Sequence, residues 1–342
     1  MSPRASEKFK LLNLRVKPIT LRSYERYLQE FIDWLPENKL TFKDWKELDE
    51  RVVEFAVHTH EEAGGARRQV VIDVKQGLEH YFPEVLGKMI LTKRSLEGWG
   101  KSRPVQQKAV CPRIVALGLG HKLMEMDRPE EGLAILLIFE CYLRVGEVVK
   151  LSITDIRLKP PEERTKGNQG ALMLKETKRG RNQSVLIRDP FIASLLERHI
   201  RNVKITNDSR RPNQDTKIHD KEPPKKKSRT TQARQEEENQ PLFKFTQAQL
   251  NKQFKMAIKN LGVQELGLTP HSLRYGAASQ DFIDGVLDLP GIKSRGRWRT
   301  DDMLQYYVQP GLVMDQEGKV AEPLKSRLRR LRDQQGRFFK IP

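Results

Sequence analysis

Three separated segments hold the side chains best suited to act on a phosphodiester. In CYLRVGEVVKLSITDI, Arg144 sits at a junction between two helical patterns, with Glu147 on the next turn. In TPHSLRYGAAS, His271 and Arg274 stand at i and i+3 in the first turn of a helix that Thr269 and Pro270 start, so both side chains can face one phosphate. In GRWRTDDMLQYYVQ, Trp298 lies in a loop and Tyr307 on a short helix capped by Thr300, with Asp301 and Asp302 favoured by the helix dipole. The sequence has no GxxxxGK[ST] loop, no HExxH and no convincing carboxylate pair. Two cysteines, Cys111 and Cys141, are too few for a cysteine-rich zinc site, so neither metal nor cofactor is expected. Arg, Lys, His and Tyr remain. A pentacoordinate phosphorane gathers negative charge on its nonbridging oxygens, which calls for two guanidiniums and donors from imidazole or indole. A tyrosine can attack to form a phosphotyrosyl ester, and a lysine can protonate the departing 5′ oxygen.

Composition narrows the partner. The 342 residues include 63 Lys and Arg against 45 Asp and Glu, a formal charge of +18, so a long-range positive potential follows and a polyanion is expected. Nucleic acid gains counterion-release entropy when Lys and Arg neutralise its phosphates, whereas a membrane surface would want a basic amphipathic helix or a lipidation signal, and neither is found. The longest apolar run, Leu133 to Phe139, is too short to span a bilayer, and the first ten residues lack the apolar core of a secretory signal. No membrane association or export by that route is expected. With 37% hydrophobic and 32% charged residues, the chain reads as globular, and its length predicts two domains.

The elements that must carry these residues are mostly helical. From Thr20, TLRSYERYLQEFIDWL sets Tyr24, Leu28, Phe31, Ile32 and Leu35 on one stripe and leaves Arg22 and Arg26 elsewhere on the surface. Further helices are expected over residues 49–60 and, after Gly64-Gly65, over 66–82, where Val71, Val74, Leu78, Tyr81 and Phe82 keep the period. The stretch LTKRSLEGWGKSRPVQQK, with Lys101 and Arg103, lacks sustained periodicity and reads as a linker able to lie along a phosphate backbone. The domain boundary therefore falls near residue 105, giving domains over 1–105 and 106–342. The second opens with helices over 113–126 and 129–142, the latter apolar enough in LAILLIF to be a core helix. ALMLKETKRGRNQSVLI predicts two short strands about a hairpin at Arg179-Gly180-Arg181-Asn182; FIASLLERHI returns to helix, and a Thr246 to Gln249 capping box starts another. Residues 206–240 hold only Ile218 and Ala233 as hydrophobics and read as a disordered insert, with a candidate nuclear import signal at Lys225 to Arg229.

Taken singly, each residue has a plain structural explanation: Arg144 a helix cap, Tyr307 packing near Met303 and Leu304, Trp298 a buried aromatic. Jointly, the segments resemble the boxes of the tyrosine recombinase (phage-integrase-like) family over about residues 15 to 310. The family's first box pairs an Arg with an acidic residue three positions on and a trailing Asp-Ile, here Arg144, Glu147, Asp155 and Ile156. Its second is His-x-x-Arg, matched by His271 and Arg274, and its last places His or Trp nine residues before the nucleophilic Tyr, which selects Tyr307 over Tyr306. A hairpin lysine between the boxes is matched by Lys178, with Lys175 the fallback. The usual Leu-Gly-His is replaced by Arg-Gly-Arg-Trp, and Tyr275 stands where His is common. That pattern looks more like recombinases of eukaryotic mobile elements.

The resemblance implies a mainly α fold with a small β-hairpin or sheet, built as an N-terminal helical core-binding (SAM-like) domain and a C-terminal DNA breaking-rejoining catalytic domain. It implies DNA recombination or integration by transesterification, with Arg144 and Arg274 clamping the phosphate, His271 and Trp298 donating to it, Tyr307 attacking and Lys178 acting as general acid. Glu147 would orient Arg144 or His271. Double-stranded DNA would be the partner, closed in a clamp and met by Arg22, Arg26, Lys101, Arg103, Arg179 and Arg181. The working form would be a dimer to tetramer assembled through the segment beyond Pro310, whose basic KSRLRRLRDQQGRFFK could equally touch DNA. Location would be the nucleus in a eukaryote, otherwise the cytoplasm or nucleoid. Two alternatives stay open: a type IB topoisomerase relaxing supercoils as a monomer, and a domesticated DNA-binding protein without cleavage.

Overall fold

The computed structural model describes residues 10–103, 108–177, 180–208 and 240–333. The chain divides into two compact units, Met1–Gln107 and Lys108–Pro342.

The first unit contains α1 (Lys10–Asn13), α2 (Pro18–Glu37), α3 (Trp45–Glu62), α4 (Arg68–Tyr81) and α5 (Ile90–Ser102). Helix α2 starts two residues before Thr20 because Pro18 takes its first turn, where a fixed φ and a missing N–H cost nothing. Its inward stripe includes Trp34, while Ile32, expected inside, is 53% exposed. Helix α3 starts earlier than the period suggests because the Asp44 carboxylate accepts from the N–H groups of Lys46 and Glu47, at 2.9 Å each. Phe82 falls outside α4 and is exposed. The largest correction is α5, which occupies most of the expected linker. The Asp49 carboxylate caps its start by accepting from the Leu91 and Thr92 N–H groups at 2.7 and 2.9 Å. Leu96 and Trp99 bury one side, and the indole N–H of Trp99 donates to the Gly65 carbonyl at 3.0 Å. Two glycines and three basic residues had hidden that narrow apolar face.

The second unit opens with α6 (Arg113–Glu125) and α7 (Pro129–Cys141), followed by the one-turn α8 (Val145–Val148). Every residue of α7 from Glu131 to Cys141 is buried, so it is the core helix its apolar run predicts. A three-stranded antiparallel sheet follows, β1 (Ile156–Leu158), β2 (Gly170–Thr177) and β3 (Gly180–Ile187), in that order. Leu172 pairs with Val185 and Gly170 with Ile187, so Leu172, Leu174, Val185 and Ile187 share the buried face. The short β1 was not anticipated, since three residues carry no alternation to read. Thr177 pairs with Gly180 and Glu176 with Arg181, so Gly180 and Arg181, expected in the turn, belong to β3. Lys178 and Arg179 lie outside the described residues.

Then come α9 (Pro190–Asp208), α10 (Gln247–Leu261), α11 (Pro270–Ile283), α12 (Leu289–Gly296), α13 (Asp301–Tyr307), α14 (Pro310–Lys319) and α15 (Glu322–Asp333). Helix α9 runs into the start of the stretch read as an irregular insert; residues 209–239, with Lys225 to Arg229, lie outside the described residues. The Thr246, Thr269 and Thr300 helix starts are where the sequence puts them. Leu328 and Leu331 of α15 are buried, Leu328 against Gly118 of α6, so the apolar side of this helix is covered within its own unit. Among the described residues, no helix is long and apolar enough to cross a membrane.

Candidate active site

Helix α11 is pinned at its start. The Cys111 N–H donates to the Ser272 carbonyl at 3.1 Å, and the Cys111 carbonyl presses on Gly276, where any Cβ would overlap it. The Thr269 N–H donates to Ser272 Oγ at 3.0 Å. His271 and Arg274 thereby leave the first turn toward the end of α7. That end is made by Tyr142, whose left-handed φ of 50° swings its carbonyl toward α11. Arg274 Nη1 donates to the Tyr142 carbonyl and Nη2 to the Gly296 carbonyl, and the side chain is 0% exposed. From its other end, Tyr142 Oη donates to the buried Asp281 carboxylate at 2.6 Å, which Arg113 and Arg188 also hold. Gly296 in turn leaves room for the Trp298 ring, which a side chain there would strike.

Arg144 caps α8. Its N–H donates to Glu147 Oε2 at 2.8 Å and its Nη1 to Glu147 Oε1 at 2.6 Å, while the guanidinium stays 19% exposed. Helix α13 brings Tyr307 over the cluster. Its Oη lies 3.3 Å from His271 Nε2, its ring stacks on Tyr275 with centroids 4.4 Å apart, and Trp298 flanks it at 4.5 Å. Arg274 Cζ sits 5.0 Å from the Trp298 ring centroid and 5.8 Å from that of Tyr307. The sequence-selected Arg144, Glu147, His271, Arg274, Trp298 and Tyr307 are therefore brought together. Arg22, Arg26, Lys101 and Arg103 are all exposed, in the first unit. Lys178 and Arg179 lie outside the described residues, as does the side chain of Arg181. Lys175 is 62% exposed and held by Asp155 at 3.0 Å and Ser152 Oγ at 3.4 Å.

Three residues were missed. Tyr142, whose carbonyl accepts from Arg274 and whose hydroxyl donates to Asp281, carries no sequence signal for that role, and Tyr275, the ring platform, showed only as a departure from the usual His. Arg297 was visible only as a departure, Arg-Gly-Arg-Trp in place of Leu-Gly-His. Its Nη2 donates to Glu147 Oε2 at 2.7 Å and to the Tyr142 carbonyl at 3.2 Å.

The site is electropositive and rich in donors. Burial pulls the Arg274 guanidinium below its ordinary pKa, and Arg144 and Arg297 add to the effect. Burial raises the Glu147 carboxyl, but Arg297, the Arg144 N–H and the Arg144 guanidinium outweigh it and hold the group ionised, below the usual range. Among the described residues, Arg274 Nε, Arg297 Nε and Trp298 Nε1 are buried donors without a hydrogen-bond partner. Orphaned donors beside three guanidiniums and one carboxylate suit an anion. Among the described residues, no group of three or more His, Cys, Asp or Glu is placed to hold a metal ion.

His271 is pushed down to about 4, first by burial and then by Arg274, Lys108 and Arg144. In the unfolded chain the group titrates near 6.5, at roughly its reference value. Below that pH the unfolded chain takes up a proton the folded site refuses, so His271 costs stability as pH falls from 6.5 through about 4 and nothing above. Melting temperature measured across that window is expected to fall less steeply in His271→Gln than in the wild type.

A comparison with curated proteins finds no match. Among solved structures, the chain is similar to the Tn1549 transposon integrase in complex with circular intermediate DNA, at 13% identity and a TM-score of 0.56, covering 95% of this chain and 97% of that one. It is also similar to the XerH site-specific recombinase bound to a palindromic difH substrate (17%, TM-score 0.53, 84% and 75% covered). A lambda integrase dimer bound to a COC′ core site matches at 14% and 0.50, over 90% and 76%. The mainly helical fold with its small antiparallel sheet is thus that of the tyrosine recombinases. The phage integrase family matches residues 121–311, more than half of the sequence, and the chain belongs to that family.

Proposed function

We propose that this protein is a site-specific DNA recombinase that cleaves and rejoins strands through a 3′-phosphotyrosyl intermediate. The observation that carries this reading is the Tyr307 hydroxyl at 3.3 Å from His271, inside a cluster of three guanidiniums with orphaned donors. Solved relatives of the same fold are complexes with DNA, which supports the substrate class. The partly exposed Arg144 meets the scissile phosphate first. The Tyr307 ring lies over Arg274, so the phosphate reaches Arg274 as that ring turns outward to attack. Tyr307 Oη forms a bond to phosphorus, the bond to the 5′ oxygen breaks, and the phenol proton passes to His271. His271 is neutral at pH 7, and the negative phosphate beside it offsets the burial and the neighbouring cations that hold its pKa down, raising its affinity for that proton. The departing oxygen takes a proton from Lys178. Trp298 Nε1 and the guanidiniums stabilise the charge that develops between. Energy of the broken ester is kept in the covalent link, so rejoining needs no ATP.

The test is to incubate the full chain with nicked duplexes of randomised sequence, digest, and locate the nucleotide on the protein by mass spectrometry. A nucleotide on Tyr307 is the expected result. DNA retention without any covalent link would leave only a DNA-binding protein, and a nucleotide on Tyr306 would overturn the nucleophile assignment. Relaxation of supercoils by a monomer, without exchange between paired sites, would favour the topoisomerase reading.

A further inference from the structure

Arg297 occupies a left-handed conformation, φ 55°, at the junction between α12 and Trp298. That region is disfavoured for any residue with a Cβ. What it gains is a 2.7 Å ion pair with Glu147 in which both side chains are 5% exposed. Its other bonds go to the carbonyls of Tyr142 at 3.2 Å and Arg295 at 3.3 Å. Too buried to meet DNA itself, Arg297 meets instead the carboxylate that also holds Arg144. Each Glu147 oxygen is engaged, Oε1 by the Arg144 guanidinium and Oε2 by the Arg144 N–H and Arg297.

We propose that Arg297 is a positioning residue that takes up the charge of Glu147 and so leaves the Arg144 guanidinium positive toward a phosphate group. This rests on the reading of the cluster as a phosphodiester site. Arg144, Arg274 and Arg297 against Glu147 leave a net charge of two with His271 neutral, and removing Arg297 leaves one. Glu147 then neutralises the very guanidinium that reaches the surface. The sequence departure at residues 295–298 is, on this view, an added charge compensator beneath the site rather than a lost donor.

The experiment is titration of the full chain with inorganic phosphate by calorimetry at low salt, for the wild type, Arg297→Gln, Glu147→Gln and the double variant. Arg297→Gln is expected to bind about tenfold more weakly, the effect of one charge several ångströms away in a partly screened site. Glu147→Gln is expected to bind more tightly than the wild type. The double variant, with both charges gone, is expected to recover to within about threefold of wild type, and Arg297→Lys to stay close to it. A purely architectural role predicts that the double variant binds no better than Arg297→Gln, and that result would overturn the proposal. Should Arg297→Gln fail to fold, Glu147→Gln alone decides: affinity no higher than wild type refutes it. A wild type that shows this phosphate pattern yet links to no DNA overturns the recombinase reading while leaving the role of Arg297 intact.

Discussion

Tyr307→Phe is expected to form no covalent link to DNA at all while folding as the wild type does. The substitution removes one oxygen and keeps the ring that stacks on Tyr275 and packs against Trp298. The hydrogen bonds lost are the 3.3 Å contact with His271 and one with Tyr275, which together cost about 1–2 kcal/mol. Activity and stability therefore separate cleanly. Denaturant-resistant protein–DNA species on a gel measure the first, thermal melting the second. Tyr306→Phe is the control, since Tyr306 meets the Tyr275 and Tyr307 rings edge-on and hydrogen-bonds Tyr275, with no hydrogen bond or ring contact to Arg144, His271 or Arg274 among the described residues. If Tyr306→Phe loses the link and Tyr307→Phe keeps it, the nucleophile has been misassigned.

Arg274 is expected to show the opposite, coupled behaviour. Arg274→Ala strips the donor from the buried Gly296 carbonyl, worth roughly 1–3 kcal/mol when left unpaired, takes one of two donors from the Tyr142 carbonyl, which Arg297 still meets, and opens a large void beneath Trp298. A loss of about 3 kcal/mol or more follows, read as a drop in denaturation midpoint. Arg274→Lys keeps the charge but cannot span both carbonyls with one ammonium. It is expected to fold and to cleave about 10²–10³-fold more slowly, the usual effect of removing one preorganised donor. Unchanged cleavage in Arg274→Lys would mean that the guanidinium serves the fold alone.

How much of this was legible beforehand depended on the range of the signal. His271, Arg274 and Tyr307 could be read because helix starts at Thr269 and Thr300 are local, written in a cap and the residues after it. Helix α5 could not, because its capping carboxylate, Asp49, lies more than forty residues away and its apolar side is only Leu96 and Trp99. Ile32 and Trp34 lie at opposite edges of the same stripe, and the Phe31, Phe55 and His58 rings around Trp34 draw its edge inward and leave Ile32 exposed. Within the site, the boxes identified which side chains converge but not what holds them. Arg297 looked like an irregularity until Glu147 was seen to be shared.

Tyr142 joins two regions that otherwise have separate tasks. Its hydroxyl answers to Asp281 near the far end of α11, and its carbonyl answers to Arg274 at the near end. The residue works as a crossbar, so a substitution deep in the scaffold, at Asp281, can shift Arg274 without altering a single atom on the open side of the site.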